Sequence, residues 1–409
     1  MKVLVINGGS SSWKCRFDEF RDDSVPVEAP QPAWEARVEW NPQTRQAALR
    51  IITRAGETRK QVQVESLEAA LEPVLESLWS GASKVVDGPA AVNAVGHRIV
   101  HGGLKYRQPM LLTSEVCAAL AKEADVAPEH NRVELEAVRA AKRLLGPRTP
   151  QIAVFDTGFH ATLEPPAYVY PGPYEWLEQG IRRFGFHGIN HQYVSERAAH
   201  LLSREPASLQ LITCHLGNGC SLAAVRAGRS IDTTMGFTPL DGLMMGTRSG
   251  ALDPGILIYL LRRHHYSADD LDRILNRESG LKGISGRSGD VREILAAMQS
   301  NDERAKLAFD LYAHRLCREL GGMLAVLGGV DALVFTGGVG ENCASLRERV
   351  CAQLGFLGLK LDSERNARPQ PDQDIAAAAS SVRVLVIAAQ EEWQIARQCC
   401  RFVRRGTEG

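Results

Sequence analysis

The sequence lacks any apolar run that approaches the roughly 20 residues needed to cross a membrane. The short apolar run 3–6 is also too small for the core of a signal peptide, because Asn7 interrupts it. There is no net charge, since Lys plus Arg and Asp plus Glu both number 48, so no broad basic field exists to attract a polyanion. We therefore expect a cytoplasmic protein with neither a membrane nor a nucleic acid as partner.

Disulfide frameworks and familiar nucleotide motifs are missing as well. The nine cysteines include no CxxC pair and no regular spacing, which argues against both disulfides and a zinc module. No Gly-Lys dipeptide occurs, so a Walker A loop is excluded, and GVGENC at 338–343 lacks the last glycine of a dinucleotide fingerprint. Any nucleotide site must be of another type.

The chain does contain an internal resemblance. Its 409 residues predict two or three domains. The segment 2–17 reads as strand, glycine-rich turn and strand, and the segment 209–228 (LQLITCHL, GNG, CSLAAVRAG) reads the same way. With amphipathic helical stretches between such strands, the sequence predicts an α/β protein built from two similar halves.

Local signals mark individual elements. Asn131 with Glu134 and Ser345 with Glu348 resemble helix capping boxes, and Asp253 before Pro254 predicts an N-cap with a first-turn proline. The segments ARVEW, ALRIIT and QVQVE alternate polar and apolar residues, which is typical of a half-exposed antiparallel sheet.

Three glycine-rich turns follow predicted strands, at 7–12, 215–219 and 337–342. Such turns expose backbone N–H groups that bind phosphate oxygens, although a single one is more often a simple hairpin. Because Lys14 follows the first turn and Asp232 the second, the three together favour phosphate binding.

A duplicated unit of this kind resembles the superfamily of sugar and acetate kinases, chaperone ATPases and actin. Finer motifs narrow the resemblance, and they are NGGSSSWK (7–14), GHRIVHGG (96–103), FDTGFH (155–160), RFGFHGINH (183–191), HLGNGCS (215–221), DTTMGFTPLDGLMMGTRSG (232–250), ESGLKGISGRSGD (278–290) and FTGGVGEN (335–342). In this order, and extending to EEWQIA at 391–396, they closely resemble the acetate kinase family.

The resemblance implies an α/β fold of two duplicated ribonuclease-H-like domains with an interdomain cleft. The expected bounds are 1–156 plus 393–409 for the N-terminal domain and 157–392 for the C-terminal, nucleotide-binding domain. It implies reversible transfer of the γ-phosphoryl group of ATP to acetate, giving acetyl phosphate and ADP, with Mg²⁺ or Mn²⁺. It also implies a homodimer.

Phosphoryl transfer needs cations and hydrogen-bond donors around the migrating group more than it needs covalent chemistry. The family's catalytic residues match Asp156, His187 and Arg248. We expect Arg248 and a hydrogen bond from His187 to stabilise the transferring group. Since a small carboxylic acid is already ionised at neutral pH, Asp156 is expected to position metal-bound waters or Arg98 rather than to act as a base.

The acceptor site is implied by a second set of matches. Arg98 is expected to hold the acceptor carboxylate, and the pocket for its methyl group matches Val100, Phe186, Pro239 and the residue before His130. That residue is Glu129, a departure from the family's usual leucine. Two explanations stay open: Glu129 turns outward and pairs with Arg132, which we favour, or the pocket admits a longer or more polar acid.

The nucleotide and metal positions also carry over from the family. The matched nucleotide-binding residues are Lys14, His215, Leu216, Gly217, Asn218, Gly219, Asp290, Val291, Arg292, Gly338, Val339, Gly340, Glu341 and Asn342. The matched metal ligands are Asn7 and Glu391, with the adjacent Glu392 as the alternative. Cys220 and Cys343 lie in these loops, and because nearby cations lower thiol pKa values, we hypothesise thiol-sensitive activity.

Two other functions remain alternatives at this point. One is a propionate or butyrate kinase, which differs only in the acceptor. The other, of a different class, is a nucleotide-gated binding protein of the actin or chaperone type, which would hydrolyse ATP without transferring phosphate to an acid.

Overall fold

The computed structural model of the protein describes residues 1–9, 12–20, 25–41, 43–122 and 128–407, without the side chains of 128–132 and 406–407. The chain divides into two compact units. Unit 1 comprises Met1–Gly158 and Gln390–Gly409, and unit 2 comprises Phe159–Ala389. Residues 157–158 and 390–392, which are expected in the second domain from the sequence, group with unit 1 in this division.

Unit 1 contains an eight-stranded sheet. Its strands are β1 (Lys2–Gly8), β2 (Ser12–Glu19), β3 (Trp34–Asn41), β4 (Gln46–Thr53), β5 (Gly56–Gln63), β6 (Ala94–Ile99), β7 (Met110–Leu111) and β8 (Gln151–Phe155). Their order is β5-β4-β3-β2-β1-β6-β8-β7. The strands β1, β6 and β8 are parallel, and β2 to β5 pair antiparallel. The alternation predicted for β3 and β4 is confirmed by their burial.

Helices cover both faces of this sheet, and they are α1 (Leu71–Glu76), α2 (Ser114–Lys122), α3 (Pro128–Leu145) and the terminal helix, which is numbered last as α15 (Glu391–Thr407). Leu4 and Ile6 of β1 join a buried cluster with Ala137 and Ala141 of α3. On the opposite face α15 lies directly on β6, because a Cβ at Gly96 would come within 2.6 Å of Cys399 Sγ. Successive side chains of a strand point to opposite faces of the sheet, so the sheet separates one apolar layer beneath α3 from another beneath α15.

Unit 2 contains a six-stranded sheet in the order β11-β10-β9-β12-β14-β13. Its strands are β9 (Gln210–Leu216), β10 (Cys220–Arg226), β11 (Arg229–Thr233), β12 (Ala332–Thr336), β13 (Gln373–Asp374) and β14 (Arg383–Val386). Its helices are α4 (Pro165–Tyr168), α5 (Tyr174–Glu178), α6 (Gly188–Leu201), α7 (Pro254–Arg263), α8 (Ala268–Arg277), α9 (Gly280–Ser285), α10 (Val291–Gln299), α11 (Glu303–Leu327), α12 (Gly337–Asn342), α13 (Ala344–Gln353) and α14 (Ser363–Ala367).

The two sheets share one topology, which confirms the predicted duplication. In each, three consecutive strands that pair antiparallel are followed by two strands parallel to the first: β3-β2-β1-β6-β8 in unit 1 and β11-β10-β9-β12-β14 in unit 2. Each also ends on a two-residue antiparallel strand. This is the ribonuclease-H-like order, and the predicted fold class is confirmed.

Helix starts agree with the sequence only in part. Asp253 caps α7 by accepting a hydrogen bond from the Gly255 N–H, as predicted. The other two predicted caps are wrong, because α3 begins at Pro128 and α13 at Ala344, which places Asn131 and Ser345 inside helices. Among the helices described, none combines the length and apolar character that a membrane span requires.

Candidate active site

Three predicted site residues of unit 1 lie at one edge of its sheet. Asn7 belongs to the end of β1, Arg98 to the end of β6, and Asp156 directly follows β8. Because these strands are parallel neighbours, their carboxyl ends meet at the same edge, which is where open α/β sheets bind ligands.

Arg98 and Asp156 form an ion pair in which the acid is buried and the base is largely buried. Nη2 of Arg98 donates a hydrogen bond to Oδ2 of Asp156 over 2.9 Å, and Asp156 is 0 % exposed. Burial alone would lower the pKa of Arg98, but the negative charges of Asp156 and Glu391 outweigh it and raise that pKa. Arg98 is therefore held as a permanent cation, suited to bind an anion.

Sequence reasoning missed a third carboxyl group beside this pair. Glu134 of α3 is 3 % exposed, and its two oxygens accept the Val100 N–H at 3.2 and 3.1 Å. Burial raises the pKa of Glu134 to about 8, although the charge of Arg98 and the Val100 bond oppose the shift. Its pairing with Asn131 in a capping pattern hid this role, since a capping glutamate is normally exposed.

Asn7 lies between the two glutamates at the start of α15. Its side-chain amide donates to Glu392 Oε1 over 2.7 Å and to Glu391 Oε2 over 3.3 Å. Amide and carboxylate oxygens fit Mg²⁺, which keeps several waters and needs only one or two protein ligands. Among the residues described, no group of three or more His, Cys, Asp or Glu side chains could hold a metal ion.

In unit 2, two predicted histidines stack on each other. The ring centroids of His187 and His215 are 4.1 Å apart and their planes differ by 16°. His187 immediately precedes α6 with a φ of 57°, a left-handed conformation that non-glycine residues seldom adopt and that is often found at functional sites. His215 lies near the end of β9, where the turn 217–219 begins.

Arg248 and His187 meet at this turn. A Cβ placed on Gly219 would lie 3.4 Å from Nε2 of His187 and 3.5 Å from Nη1 of Arg248. Two nitrogen groups able to donate hydrogen bonds are thus adjacent to the same glycine. The structure brings this predicted catalytic pair together within unit 2, and places the third predicted catalytic residue, Asp156, in unit 1.

The predicted nucleotide segments of unit 2 adjoin this turn. Gly337 follows β12, and a Cβ there would lie 2.8 Å from the Leu216 carbonyl oxygen. A Cβ on Gly246 would likewise lie 2.5 Å from Asn218 Oδ1 and 2.9 Å from the Gly289 carbonyl oxygen. Gly337 thus lies against the segment 215–219, and Gly246 lies against both that segment and Gly289, so closely that only glycine fits at these two positions.

Some predicted nucleotide-binding side chains are engaged in local structure. Glu341 accepts the backbone N–H groups of Gly337 and Ala389, both at 2.9 Å, and Asn342 donates to the Gly338 carbonyl. Arg292 pairs with Asp290 over 2.6 Å, and 89 % of its side chain is exposed.

The remaining predicted residues are divided between the units. Val100 and Lys14 belong to unit 1, where Lys14 is exposed on β2 opposite Asn7. Phe186 and Pro239 belong to unit 2, where the Phe186 carbonyl accepts from His160 Nε2 over 3.0 Å. The side chains of Glu129 and Arg132 lie outside the described residues, so their proposed pairing stays a prediction.

The structure argues against a reactive thiol at Cys220. Its sulfur is buried and hydrogen-bonded to Tyr312 Oη over 3.1 Å, and burial raises its pKa to about 11. A thiol in that condition remains protonated at neutral pH and is a poor nucleophile. All nine cysteines are free thiols.

A sequence model described as the acetokinase family matches residues 2–397. The chain belongs to the acetokinase family. An acetate kinase from Nostoc sp. is 54 % identical over 406 residues, which cover 99 % of this chain and 100 % of that protein. The resemblance that the motifs carried is confirmed.

Solved structures of family members agree with this assignment. The acetate kinase of Porphyromonas gingivalis has a TM-score of 0.89 at 37 % identity, covering 98 % of this chain and 99 % of that one. A propionate kinase of Francisella tularensis has a TM-score of 0.87 at 35 % identity, covering 97 % and 98 %. The chain is a phosphotransferase with a carboxyl group as acceptor, which excludes the nucleotide-gated binding protein.

Proposed function

We propose that this protein transfers the γ-phosphoryl group of ATP to acetate, reversibly and with Mg²⁺, to give acetyl phosphate and ADP. The observation that carries the proposal is the Arg98–Asp156 pair at the carboxyl edge of the unit 1 sheet. Asp156 uses one side of the guanidinium, and the planar group has five donors that match a carboxylate bidentately. Arg98 then binds the acetate carboxylate, and Val100, Phe186 and Pro239 contact its methyl group.

The nucleotide binds to unit 2 in this proposal. The backbone of 215–219 and 338–342, with the helix α10 start at Asp290 to Arg292, surrounds the phosphates and adenosine, and Lys14 assists as an exposed cation. His187 and Arg248 meet beside Gly219, where they stabilise the charge of the migrating phosphoryl group. Phosphoryl transfer requires little else of the protein, because the acetate oxygen attacks as an existing anion.

When bound, Mg²⁺ would neutralise part of the negative charge on the phosphates. Asn7 and Glu391 would hold it, because their amide and carboxylate oxygens suit a hard cation.

Trapping of acetyl phosphate with hydroxylamine tests the function. Purified protein with MgATP and acetate should form acetohydroxamate in proportion to ADP, and omission of acetate should abolish both products. ADP formed at the same rate without acetate would contradict a kinase acting on acetate.

One of the similar solved structures is a propionate kinase, which favours propionate as the alternative acceptor. Steady-state kinetics with acetate, propionate and butyrate distinguish these acceptors. We expect the highest kcat/KM with acetate, because the smallest acid needs the least space and one extra methylene changes binding by about 1–3 kcal/mol. A higher kcat/KM for propionate or butyrate would replace acetate as the substrate.

We also propose that two copies associate through α7. Helix α7 has no buried residue, and its apolar side chains Ile256, Ile258, Tyr259 and Leu261 are 43 to 56 % exposed. An apolar helix of this kind is typical of a surface covered by another protein, and a symmetric homodimer is the commonest soluble assembly.

Free thiols and the use of ATP are consistent with a cytoplasmic protein.

Sedimentation velocity tests the homodimer. Tyr259→Lys combined with Ile256→Lys should convert a dimer to a monomer. Leu307→Lys, at an apolar position of α11 that is 58 % exposed, is the control and should leave the dimer intact. A dimer that survives the double substitution would show that α7 is not the interface.

A further inference from the structure

A chain of three hydrogen bonds leads from strand β9 to His187. Thr213 Oγ1 and His191 Nδ1 are 2.7 Å apart, His191 Nε2 and Ser221 Oγ are 2.7 Å apart, and Ser221 Oγ and His187 Nδ1 are 2.9 Å apart. Thr213, His191 and Ser221 are each 0 % exposed. The proposed reaction gives these three residues no role, and none of them is among the site residues expected from the sequence.

The direction of the protons follows from the first member of the chain. Thr213 has one hydroxyl proton and two neighbours, His191 Nδ1 at 2.7 Å and the Ala223 carbonyl oxygen at 3.5 Å. The carbonyl at 3.5 Å lies at the outer limit of a hydrogen bond, whereas Nδ1 of His191 is close, so we assign the Thr213 proton to His191.

The proton positions on His191, Ser221 and His187 then follow one after another. Because Nδ1 of His191 accepts, a neutral His191 carries its proton on Nε2 and donates it to Ser221. Ser221 has a single proton, which it donates to Nδ1 of His187. A neutral His187 therefore carries its own proton on Nε2.

This nitrogen is the one that lies beside Arg248. Nε2 of His187 and Nη1 of Arg248 would both be within 3.5 Å of a Cβ on Gly219. Among the described residues, the titratable and charged groups that face the two chain histidines include Arg248 and two further histidines. His215 is stacked on His187 and edge-on to His191, and His160 is edge-on to His191 with centroids 5.6 Å apart. A neutral ring that already donates from Nε2 avoids adding a second positive charge beside the guanidinium.

We propose that Thr213, His191 and Ser221 are positioning residues that hold the proton of neutral His187 on Nε2, so that His187 donates a hydrogen bond to the migrating phosphoryl group. This rests on the proposed function, in which His187 contacts that group. The three residues act through His187 and do not touch the substrate.

The first test replaces the link nearest to His187. Ser221→Ala should lower kcat about 10- to 100-fold, the range seen when hydrogen-bond partners that orient a functional histidine are removed, with little change in KM for ATP. Ser195→Ala is the matched control, because Ser195 is also buried, lies on α6 and donates to the Gln192 carbonyl within the same helix. Equal kcat values for Ser221→Ala and Ser195→Ala would overturn the proposal.

A pH profile separates positioning from loss of structure. In the native protein the donor is neutral, so kcat should stay constant through the ordinary histidine range near pH 6.5. In Ser221→Ala nothing holds the proton on Nε2, so part of the neutral His187 carries it on Nδ1, whereas the imidazolium always donates from Nε2. The kcat should therefore fall as pH rises through that range. Parallel profiles for the two proteins would contradict the assigned role.

The second test does not depend on activity. In ¹⁵N-histidine NMR spectra of the native protein above pH 7.5, His187, assigned by comparison with His187→Gln, should show the Nε2–H form. In Thr213→Val this preference should weaken, and Thr213→Ser should restore it. An Nδ1–H form of His187 in the native protein would overturn the positioning role of Thr213, His191 and Ser221, even if acetohydroxamate is formed. Absence of acetohydroxamate together with the Nε2–H form would reject only the proposed function.

Discussion

The guanidinium of Arg98 and the carboxylate of Asp156 are joined by a 2.9 Å hydrogen bond in which the acid is fully buried and the base is nearly so. Two strands that are neighbours in the sheet, β6 and β8, deliver the two groups to one edge. The pair is therefore fixed by the fold before any ligand arrives, and what remains of the arginine's hydrogen-bonding capacity can serve an anionic acceptor.

Removal of one partner of this pair should be costly. Asp156→Ala leaves a buried cation without its carboxylate, and we expect the free energy of unfolding to fall by about 3–5 kcal/mol. The control is Glu65→Ala, because Glu65 and Arg45 are also 2.9 Å apart but are 79 % and 65 % exposed. Exposed pairs contribute about 0–1 kcal/mol. Urea denaturation measures both, and equal losses would mean that burial does not strengthen the Arg98 pair.

Glu134 should make stability depend on pH. Its pKa of about 8 in the folded protein exceeds the ordinary 4.5, so between these values the folded chain holds a proton that the unfolded chain has lost. The stability contributed by the protonated acid is complete below about pH 4.5 and is lost as pH rises through about 8, at up to about 1.4 kcal/mol per pH unit.

Glu134→Gln removes this titration, so its melting temperature relative to the native protein should rise between pH 5 and pH 9. Glu136→Gln, on the same helix but only half-buried, is the control and should show a constant difference. A constant difference for Glu134→Gln as well would show that the buried carboxyl group does not titrate in this range.

Arg248→Ala should separate turnover from nucleotide binding. Loss of a guanidinium that stabilises the transferring group is expected to lower kcat about a thousandfold, while KM for ATP changes much less. Arg226→Ala removes an exposed arginine of β10 that donates to the carbonyls of Val326 and Leu327, and it should leave kcat unchanged. A kcat for Arg248→Ala close to that of the control would remove Arg248 from the mechanism.

The two glutamates at the start of α15 can be ranked as metal ligands. Asn7 holds Glu392 at 2.7 Å and Glu391 at 3.3 Å, so Glu391 has more freedom to bind a cation. Glu391→Gln should raise the Mg²⁺ concentration for half-maximal activity about tenfold, and Glu392→Gln should raise it less. The reverse order would identify Glu392 as the ligand. EDTA should abolish activity, and added Mg²⁺ should restore it.

The two strand–turn–strand units were predictable because alternation and glycine-rich turns are local patterns that survive without tertiary information. The capping patterns at Asn131 and Ser345 failed because a local pattern does not show that a helix already began up to one turn earlier, as α3 does at Pro128. That error also concealed Glu134, whose partner Val100 is distant in sequence.

Within the site, the motifs predicted a role for His187, but they predicted none for Thr213, His191 and Ser221, which form its hydrogen-bond chain. Ser221 reaches His187 and His191 only because β10 pairs with β9 and α6 lies against β9 and β12. Such contacts depend on the packing of three elements, and no spacing in the sequence encodes them. The sequence shows that His187 and His191 are four residues apart. Only the structure shows that Ser221 forms a hydrogen bond with each of them.

Phosphorus NMR of the purified protein with MgATP and acetate follows the transfer of the phosphoryl group itself. We expect ATP signals to decline while ADP and acetyl phosphate signals grow in equal amounts, and acetyl phosphate with MgADP to regenerate ATP. Formation of inorganic phosphate from ATP, with no acetyl phosphate in either direction, would contradict it.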